Sequence, residues 1–432
     1  MTLNTFFIIY QIIHILGFPL ILVYLFTRPV RGKPTFGNFI QRMGFLPKVS
    51  NNKKTIWLHA VSVGEILSIQ SLVRDIKKIP DTICYITTGT VTGKDMALKK
   101  LDADYVSLIS FDFLPAMILA FKRINPRSII IVEAELWPNL LCLANFKKIP
   151  TYAINARMSQ RSFRRYKVFK RFLSPLLNTF KKLYVQTKDD ESRYKNLGAS
   201  RNKISPLGNL KTLNVLEKVD HEKALPVKTI YPTILVGSVH PGELEIYLKL
   251  FKTLKKEVFN LKLILAPRHF HWKNALVKKI NEYDLKFELW DEKHTSNNDA
   301  TSAQQSLHKN DLLLVCKLGT LFDLYQISTI FCLGGTFVKI GGHNLLEPAV
   351  WSKVSLIGPY YQNCKMIADQ LEEVNGLIKT NNEKELIRKV RYLIKNPEIT
   401  QSMEFNAASW LKSEAQNVKI QLADLLNELK EI

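Results

Sequence analysis

Short apolar runs separated by amphipathic or polar stretches recur along most of this chain, and they come in two series. The first reads TIWLHA (55–60), TICYITT (82–88), YVSLIS (105–110), SIIIVEAE (128–135), TYAINA (151–156) and LYVQT (183–187). The second reads TILVGS (233–238), LKLILAP (261–267), DLLLVC (311–316), TIFCLGG (329–335) and VSLIG (354–358). Strand, helix, strand in that order implies parallel sheets with helices on both faces, an α/β fold. The length of 432 residues also exceeds what one hydrophobic core usually supports. Two doubly wound, Rossmann-like domains follow. The charged stretch 212–232 reads as the linker between them, and the polar stretch 291–310 as a surface loop. Ligands of such sheets bind beyond the carboxyl ends of the strands, so the expected active site is the cleft between the two facing domains.

Residues 6–26, FFIIYQIIHILGFPLILVYLF, carry no charge. At about 1.5 Å per residue a helix of that length reaches across a bilayer. Arg28, Arg31, Lys33 and Arg42 follow it, which puts the bulk of the protein on the cytoplasmic side. Gln11, His14, Gly17 and Pro19 weaken the span and leave an interfacial or buried helix as alternatives. The expectation is a membrane anchor or insertion helix over residues 1–30. The chain carries 61 basic and 38 acidic residues, a formal charge of +23, so it seeks a polyanion. Nucleic acid, an anionic membrane surface and a phosphorylated substrate are the choices, and the apolar segment favours the membrane surface over nucleic acid. The five cysteines, Cys84, Cys142, Cys316, Cys332 and Cys364, form no CxxC pair, which argues against a zinc site and a disulfide framework.

Several apolar runs end in residues that bear chemistry. In HAVSVGE, Glu65 opens a helix, where a carboxylate can complement the helix dipole or serve as a general base. In VEAELWPN, Glu133 and Glu135 share one side of a strand end, as a salt-bridged structural pair or as carboxylates with raised pKa values. TTGTVTGKD (87–95) fails as a phosphate loop, because only three residues separate the first glycine from Gly-Lys and Asp95 follows; its glycines allow a close backbone approach or a tight turn. NARMSQRSFRRYKVFKRF interleaves Arg157, Arg161, Arg164, Arg165, Lys167, Lys170 and Arg171 with aromatic residues, a face for anionic headgroups, nucleic acid or plain solvent. The second series supplies GSVHPGE (237–243), APRH (266–269), LGT (318–320) and GGTFVKIGGHNLLEPA (334–349). Arg268 suits an anionic ligand group. Gly341 and Gly342 permit close backbone approach to a ligand, the following helix start suits a phosphate, and Glu347 suits ribose hydroxyls.

Together, HAVSVGE, EAELWPN, NARMSQRS, GNLK, APRH and GGHNLLEPA resemble the 3-deoxy-D-manno-octulosonic acid (Kdo) transferases of lipopolysaccharide synthesis, in order and over nearly the whole chain. The resemblance implies the GT-B glycosyltransferase fold, with an acceptor-binding domain over residues 31–215 and a CMP-Kdo-binding domain over residues 216–432. It implies inverting transfer of Kdo from CMP-Kdo to lipid IVA, the lipid A precursor, at the cytoplasmic face of the inner membrane, with no cofactor and no metal. It makes Glu65 the proton acceptor and puts Glu133 and Lys211 at transition-state-stabilising positions. Pro267, Arg268, Leu318, Gly319, Thr320, Asn344, Leu345, Leu346 and Glu347 match CMP-binding positions. Two departures stand out: Thr320 replaces the family's usual acidic residue, and NLLE replaces the frequent NPLE. The alternatives are another GT-B transferase or epimerase using a different nucleotide sugar, and a membrane-anchored nucleic-acid- or lipid-binding protein without turnover.

Overall fold

The computed structural model describes residues 1–27, 38–50, 53–133, 135–219, 230–294 and 298–432, with side chains in the first helix described as far as residue 17. The chain forms two compact units, residues 1–214 with 414–432, and residues 215–413. In the first unit seven strands form one sheet: β1 (Lys54–His59), β2 (Thr82–Thr88), β3 (Tyr105–Leu108), β4 (Pro126–Val132), β5 (Thr151–Ala156), β6 (Lys182–Val185) and β7 (Ile204–Pro206), in the order β3-β2-β1-β4-β5-β6-β7. In the second unit the strands are β8 (Thr233–Val239), β9 (Lys262–Pro267), β10 (Phe287–Trp290), β11 (Leu312–Val315), β12 (Ile330–Leu333), β13 (Val354–Ile357) and β14 (Leu377–Lys379), in the order β10-β11-β9-β8-β12-β13-β14. Every pairing between these strands is parallel.

The central strands are buried along almost their whole length, β5 and β9 completely, because helices cover both faces. That is why they read as continuous apolar runs rather than alternating ones. In each unit the winding reverses once. β1 lies between β2 and β4, and β8 lies between β9 and β12. Chain leaving the carboxyl ends of β1 and β4, or of β8 and β12, therefore diverges to opposite faces of the sheet and leaves a crevice at that edge.

The structure departs from the sequence expectations in four places. The stretch expected to be a linker begins with the helix Lys211–Lys218, in which Thr212, Leu213 and Val215 are buried; residues 220–229 lie outside the described residues. Half of the expected surface loop is the helix Asp299–Lys309, capped by the Asn298 side chain on the Thr301 N–H (3.0 Å) and buried through Ala300, Ala303 and Leu307. Residues 414–432, expected in the C-terminal domain, belong to the first unit, where Tyr152 donates to Glu428 (2.9 Å) and Lys182 pairs with Asp424 (2.6 Å).

The fourth departure is the first helix, Leu3–Thr27. Among the described residues no helix is long and apolar enough to cross a membrane, and the second half of the expected span lies outside the described side chains. The first half docks on the first unit. Phe6 is buried, the Tyr10 hydroxyl donates to Asp112 (2.9 Å), and Gln11 Nε2 donates to Asn139 Oδ1 (2.6 Å). Gln11, one of the residues that weakened the span in the sequence, is thus a hydrogen-bonding residue of this docked half. Ile8, Ile12, Ile15 and Leu16 remain exposed.

Three non-glycine residues at the carboxyl ends of strands hold left-handed backbone: Glu133 (φ 62°), Asn155 (φ 54°) and Ser238 (φ 61°). The register slips beside the last two, which re-aims the chain leaving β5 and β8. At Ser238 the bend brings the backbone against Gly334, where an added Cβ would lie 2.3 Å from the Ser238 carbonyl oxygen. Such backbone is strained for a residue with a Cβ and relaxed for glycine. Glu133→Gly is therefore expected to be more stable than Glu133→Ala by about 1 kcal/mol in denaturant unfolding, the reverse of the usual order of those two residues. Equal or inverted stabilities would show that the Glu133 backbone carries no strain.

Candidate active site

The loop after β1 turns directly into the helix Val63–Ser68. Ser62 caps it by accepting the Glu65 N–H (3.4 Å), and the Glu65 carboxylate reaches back. Val61 N–H donates to its Oε2 (2.7 Å) and the Ser62 hydroxyl to its Oε1 (2.9 Å). This reciprocal arrangement is a variant of the capping box that reaches the N–H one residue before the cap, so the structural role weighed from sequence is real. It also fixes the carboxylate in place. Glu65 is 8% exposed, and burial raises its pKa. The nearby carboxylates of Glu133 and Glu135 push it in the same direction, against the two hydrogen bonds. A carboxylate in that state binds a proton more readily than one in water, which is what a general base requires.

Glu133 follows β4 and is tied by its N–H to the Ile154 carbonyl of β5 (2.9 Å). Its Oε2 accepts from Arg157 Nε (2.9 Å), so one of the two expected carboxylates is ion-paired. Glu135 is instead raised in pKa by burial. Lys211 is exposed at the start of its helix, with its N–H on Asn209 Oδ1 (3.1 Å). The GNLK segment is held to β5, because the Leu210 N–H donates to the buried Asn155 Oδ1 (3.2 Å). Asn155 and its left-handed backbone thus connect two segments far apart in the chain. Glu65 and Glu133 flank the crevice between β1 and β4, and the GNLK loop, which follows β7, is tied to the end of β5.

His59 ends β1 and is fully buried. Its Nδ1 lies 3.0 Å from Thr87 Oγ1 and 3.1 Å from the Thr87 carbonyl oxygen, and its ring meets the edge of Trp137. Burial lowers its pKa to about 4. The glycines of TTGTVTGKD serve close packing within the chain, since a Cβ on Gly89 would strike Val61 Cγ1 at 2.5 Å.

In the second unit the fully buried Glu243 is the organising group. Its carboxylate accepts the N–H groups of His240 (2.8 Å), Gly335 (2.6 Å) and Phe337 (3.4 Å). It thereby fastens the loop after β8 to the loop after β12 across the crevice. Burial raises its pKa, and these backbone donors oppose the rise. His240 Nε2 lies 2.7 Å from His343 Nε2, with the two ring planes within 3° of parallel. Arg268, exposed after β9, has its N–H on the Val239 carbonyl (3.0 Å) and faces both rings electrostatically. His269 and Trp272 complete the cluster, with ring centroids 6.3 and 5.5 Å from His240.

The remaining predicted positions are more scattered. Pro267 is the buried last residue of β9. Leu318 is exposed, Gly319 has φ 87°, and Thr320 is buried with its hydroxyl unpartnered among the described residues. All three follow β11, the neighbour of β9. Leu345 is buried, and the helix expected to receive a phosphate, Leu346–Val350, has only five residues. Asn344 Oδ1 accepts its Leu346 N–H (2.9 Å), and Glu347 pairs with Lys218 (3.3 Å). Gly341 and Gly342, expected to admit a ligand, instead pack on this chain's own Asn363 and Cys364, within 2.8 Å of an added Cβ in each case. His240, Glu243, His269 and Trp272 had no role assigned from sequence. Their only signal was a position at a strand end, within GSVHPGE and beside APRH.

Comparison with known proteins identifies the family. The family model of 3-deoxy-D-manno-octulosonic-acid transferase (kdotransferase) matches residues 37–214. A 3-deoxy-D-manno-octulosonic acid transferase of Aquifex aeolicus is 31% identical over 354 residues, 81% of this chain and 89% of that protein. A bifunctional glycosyltransferase/methyltransferase of Fusobacterium nucleatum is 33% identical over 348 residues, 78% of this chain; the match spans about half of that longer protein, 52%. Among solved structures, UDP-GlcNAc 2-epimerase from Neisseria meningitidis bound to UDP-GlcNAc superposes with a TM-score of 0.58 at 14% identity, covering 87% of this chain and 100% of that one, a likeness of GT-B-like fold alone. With a relative of that activity 31% identical over four-fifths of its length, the chain belongs to the 3-deoxy-D-manno-octulosonic acid transferase family and is a glycosyltransferase.

Proposed function

We propose that this chain transfers Kdo from CMP-Kdo to lipid IVA with inversion at the anomeric carbon, and that Glu65 is the general base. The observation that carries the reading is a desolvated, hydrogen-bond-fixed carboxylate at the reversal point of the first sheet, with two further carboxylates close by. Inversion requires a base that removes the acceptor hydroxyl proton as the leaving group departs from the opposite face of the sugar. Glu65 supplies that base with oxygen lone pairs beyond those used in its cap. Glu133, held by Arg157, and the exposed Lys211 stabilise charge developing around the reacting sugars. Arg268, Pro267, the segment Leu318–Thr320 and residues Asn344, Leu345, Leu346 and Glu347 hold the nucleotide. Thr320, a buried hydroxyl where relatives carry an acid, contributes a hydrogen bond in place of a charge.

The acceptor is an acylated, phosphorylated sugar, and the first unit carries a surface suited to one. The helix Gln160–Val168 buries no residue, and Arg161, Arg164, Arg165 and Lys167 are exposed on it beside exposed Val168 and Phe169. The first helix adds its exposed isoleucines. Apolar groups rimmed by cations suit an anionic bilayer surface, and in this reading the protein works at the cytoplasmic face of the inner membrane. A different nucleotide sugar remains the competing donor, favoured only by fold.

Purified protein incubated with lipid IVA and CMP-Kdo is expected to add at least one Kdo unit by mass spectrometry. Glu65→Gln is expected to slow that transfer roughly 10²–10⁴-fold while CMP still binds, the range of a lost general base. No mass gain with an active donor supply would redirect the reading to another nucleotide sugar, and normal turnover in Glu65→Gln would remove Glu65 as base. Arg268→Ala is expected to weaken CMP binding about 10-fold or more, as loss of a charged hydrogen bond does; unchanged affinity in calorimetry would take Arg268 out of the nucleotide site.

A further inference from the structure

The two imidazoles of His240 and His343 meet nitrogen to nitrogen, Nε2 to Nε2, at 2.7 Å. That distance is a hydrogen bond only if one nitrogen carries a proton and the other offers a lone pair. The pair therefore shares one proton between its two Nε2 atoms. The rest of the fold enforces the meeting. Glu243 clamps the two loops that carry the rings, Ser238 bends β8 toward Gly334, and Gly335, at φ 71°, leaves room where a Cβ would sit 3.2 Å from each ring. Strained backbone, a buried carboxylate and a glycine converge on one contact that adds little to the apolar core.

The groups facing the pair are mostly cationic or neutral. Arg268 and His269 come from the segment after β9, with His271 stacked on His269 at 5.6 Å. Glu243 lies behind His240 with its carboxylate engaged by backbone N–H groups. The Cys364 thiol, beside Gly342, is kept protonated by burial. In this setting burial and Arg268 hold both imidazoles below their ordinary pKa, so the empty pair is uncharged at neutral pH. An incoming phosphate reverses that balance by cancelling Arg268 and rewarding an added proton.

We propose that His240 and His343 act as one proton-accepting and proton-donating unit at the nucleotide phosphate: the pair takes up a proton when the nucleotide binds and passes it to the phosphate as the glycosyl–phosphate bond breaks. The inference rests on the nucleotide site proposed above. The bond between the anomeric carbon and the phosphate oxygen breaks, its electron pair stays on that oxygen, and the phosphate gains one negative charge. The proton of the pair moves to the phosphate, leaving the pair neutral. The acceptor hydroxyl forms the new bond and its proton goes to Glu65. Exchange with solvent restores both groups after release, so protons and charge balance over a turnover.

The test is the number of protons taken up when CMP binds to the full chain. Calorimetric titrations at about pH 7.5, above the second phosphate pKa near 6, would be run in two buffers of different ionisation enthalpy. Wild-type protein is expected to take up close to one proton per CMP. His343→Gln and His240→Gln are expected to bind CMP within about 10-fold of wild type, to take up none, and to lose roughly 10²-fold or more in kcat with little change in donor KM. Normal CMP binding by wild type without proton uptake, or unchanged uptake in both variants, would overturn the proposal. Absence of any CMP binding by wild type would instead strike the nucleotide site itself. Should the variants unfold, the wild-type proton count still decides.

Discussion

Both strand-end crevices depend on what it costs to bury a carboxylate at the edge of a sheet. An ionised carboxyl group away from water is unfavourable by several kcal/mol unless donors replace its hydration. Both units meet that requirement at the point where their winding reverses. In the first unit Glu65 takes a backbone N–H and a hydroxyl from the turn that carries it. In the second, Glu243 takes three backbone N–H groups from two different loops. The same physics gives different results. Glu243 is saturated by fixed donors and acts as a clamp. Burial raises the proton affinity of both, and Glu65 has fewer donors to oppose the rise and two other carboxylates nearby that add to it.

Much of the architecture was legible because a parallel sheet buried on both faces writes itself as uninterrupted apolar runs. The strands missed from sequence, β7, β10 and β14, have three or four residues each and lie at sheet edges or next to them, where neither length nor pattern separates a strand from a turn. The helices Lys211–Lys218 and Asp299–Lys309 were hidden for a different reason. Their exposed faces are polar enough to read as loop, and only a narrow stripe of small or apolar residues is buried. The first helix shows the opposite error. Its composition favoured a membrane span over an interfacial or buried helix, but in its first half Tyr10 and Gln11 are fixed to Asp112 and Asn139, contacts more than 100 residues away that no local pattern reveals.

The site was legible where its residues lie at strand ends within distinctive segments, as for Glu65, Glu133 and Arg268. It was illegible where two distant segments meet. His240 and His343 are 103 positions apart, and nothing in either neighbourhood announces the other. Gly341 and Gly342 of GGTFVKIGGHN were read as admitting a ligand, but the groups that approach the glycines of this segment are the chain's own: Ser238, Asn363 and Cys364. Asn155 is a similar case, a buried amide in left-handed backbone that joins the GNLK loop to β5.

Glu65 is proposed here as a base whose strength comes from burial and from Glu133 and Glu135. The most direct measurement is the pH dependence of the single-turnover transfer rate in wild type and in Glu135→Gln. Glu65 must be ionised to act, and its pKa is raised, so the wild-type rate should fall on acidification with a midpoint above the ordinary range of a glutamate. Removing the Glu135 charge should move that midpoint to lower pH. A midpoint in the ordinary range, or one that stays fixed in Glu135→Gln, would contradict the account.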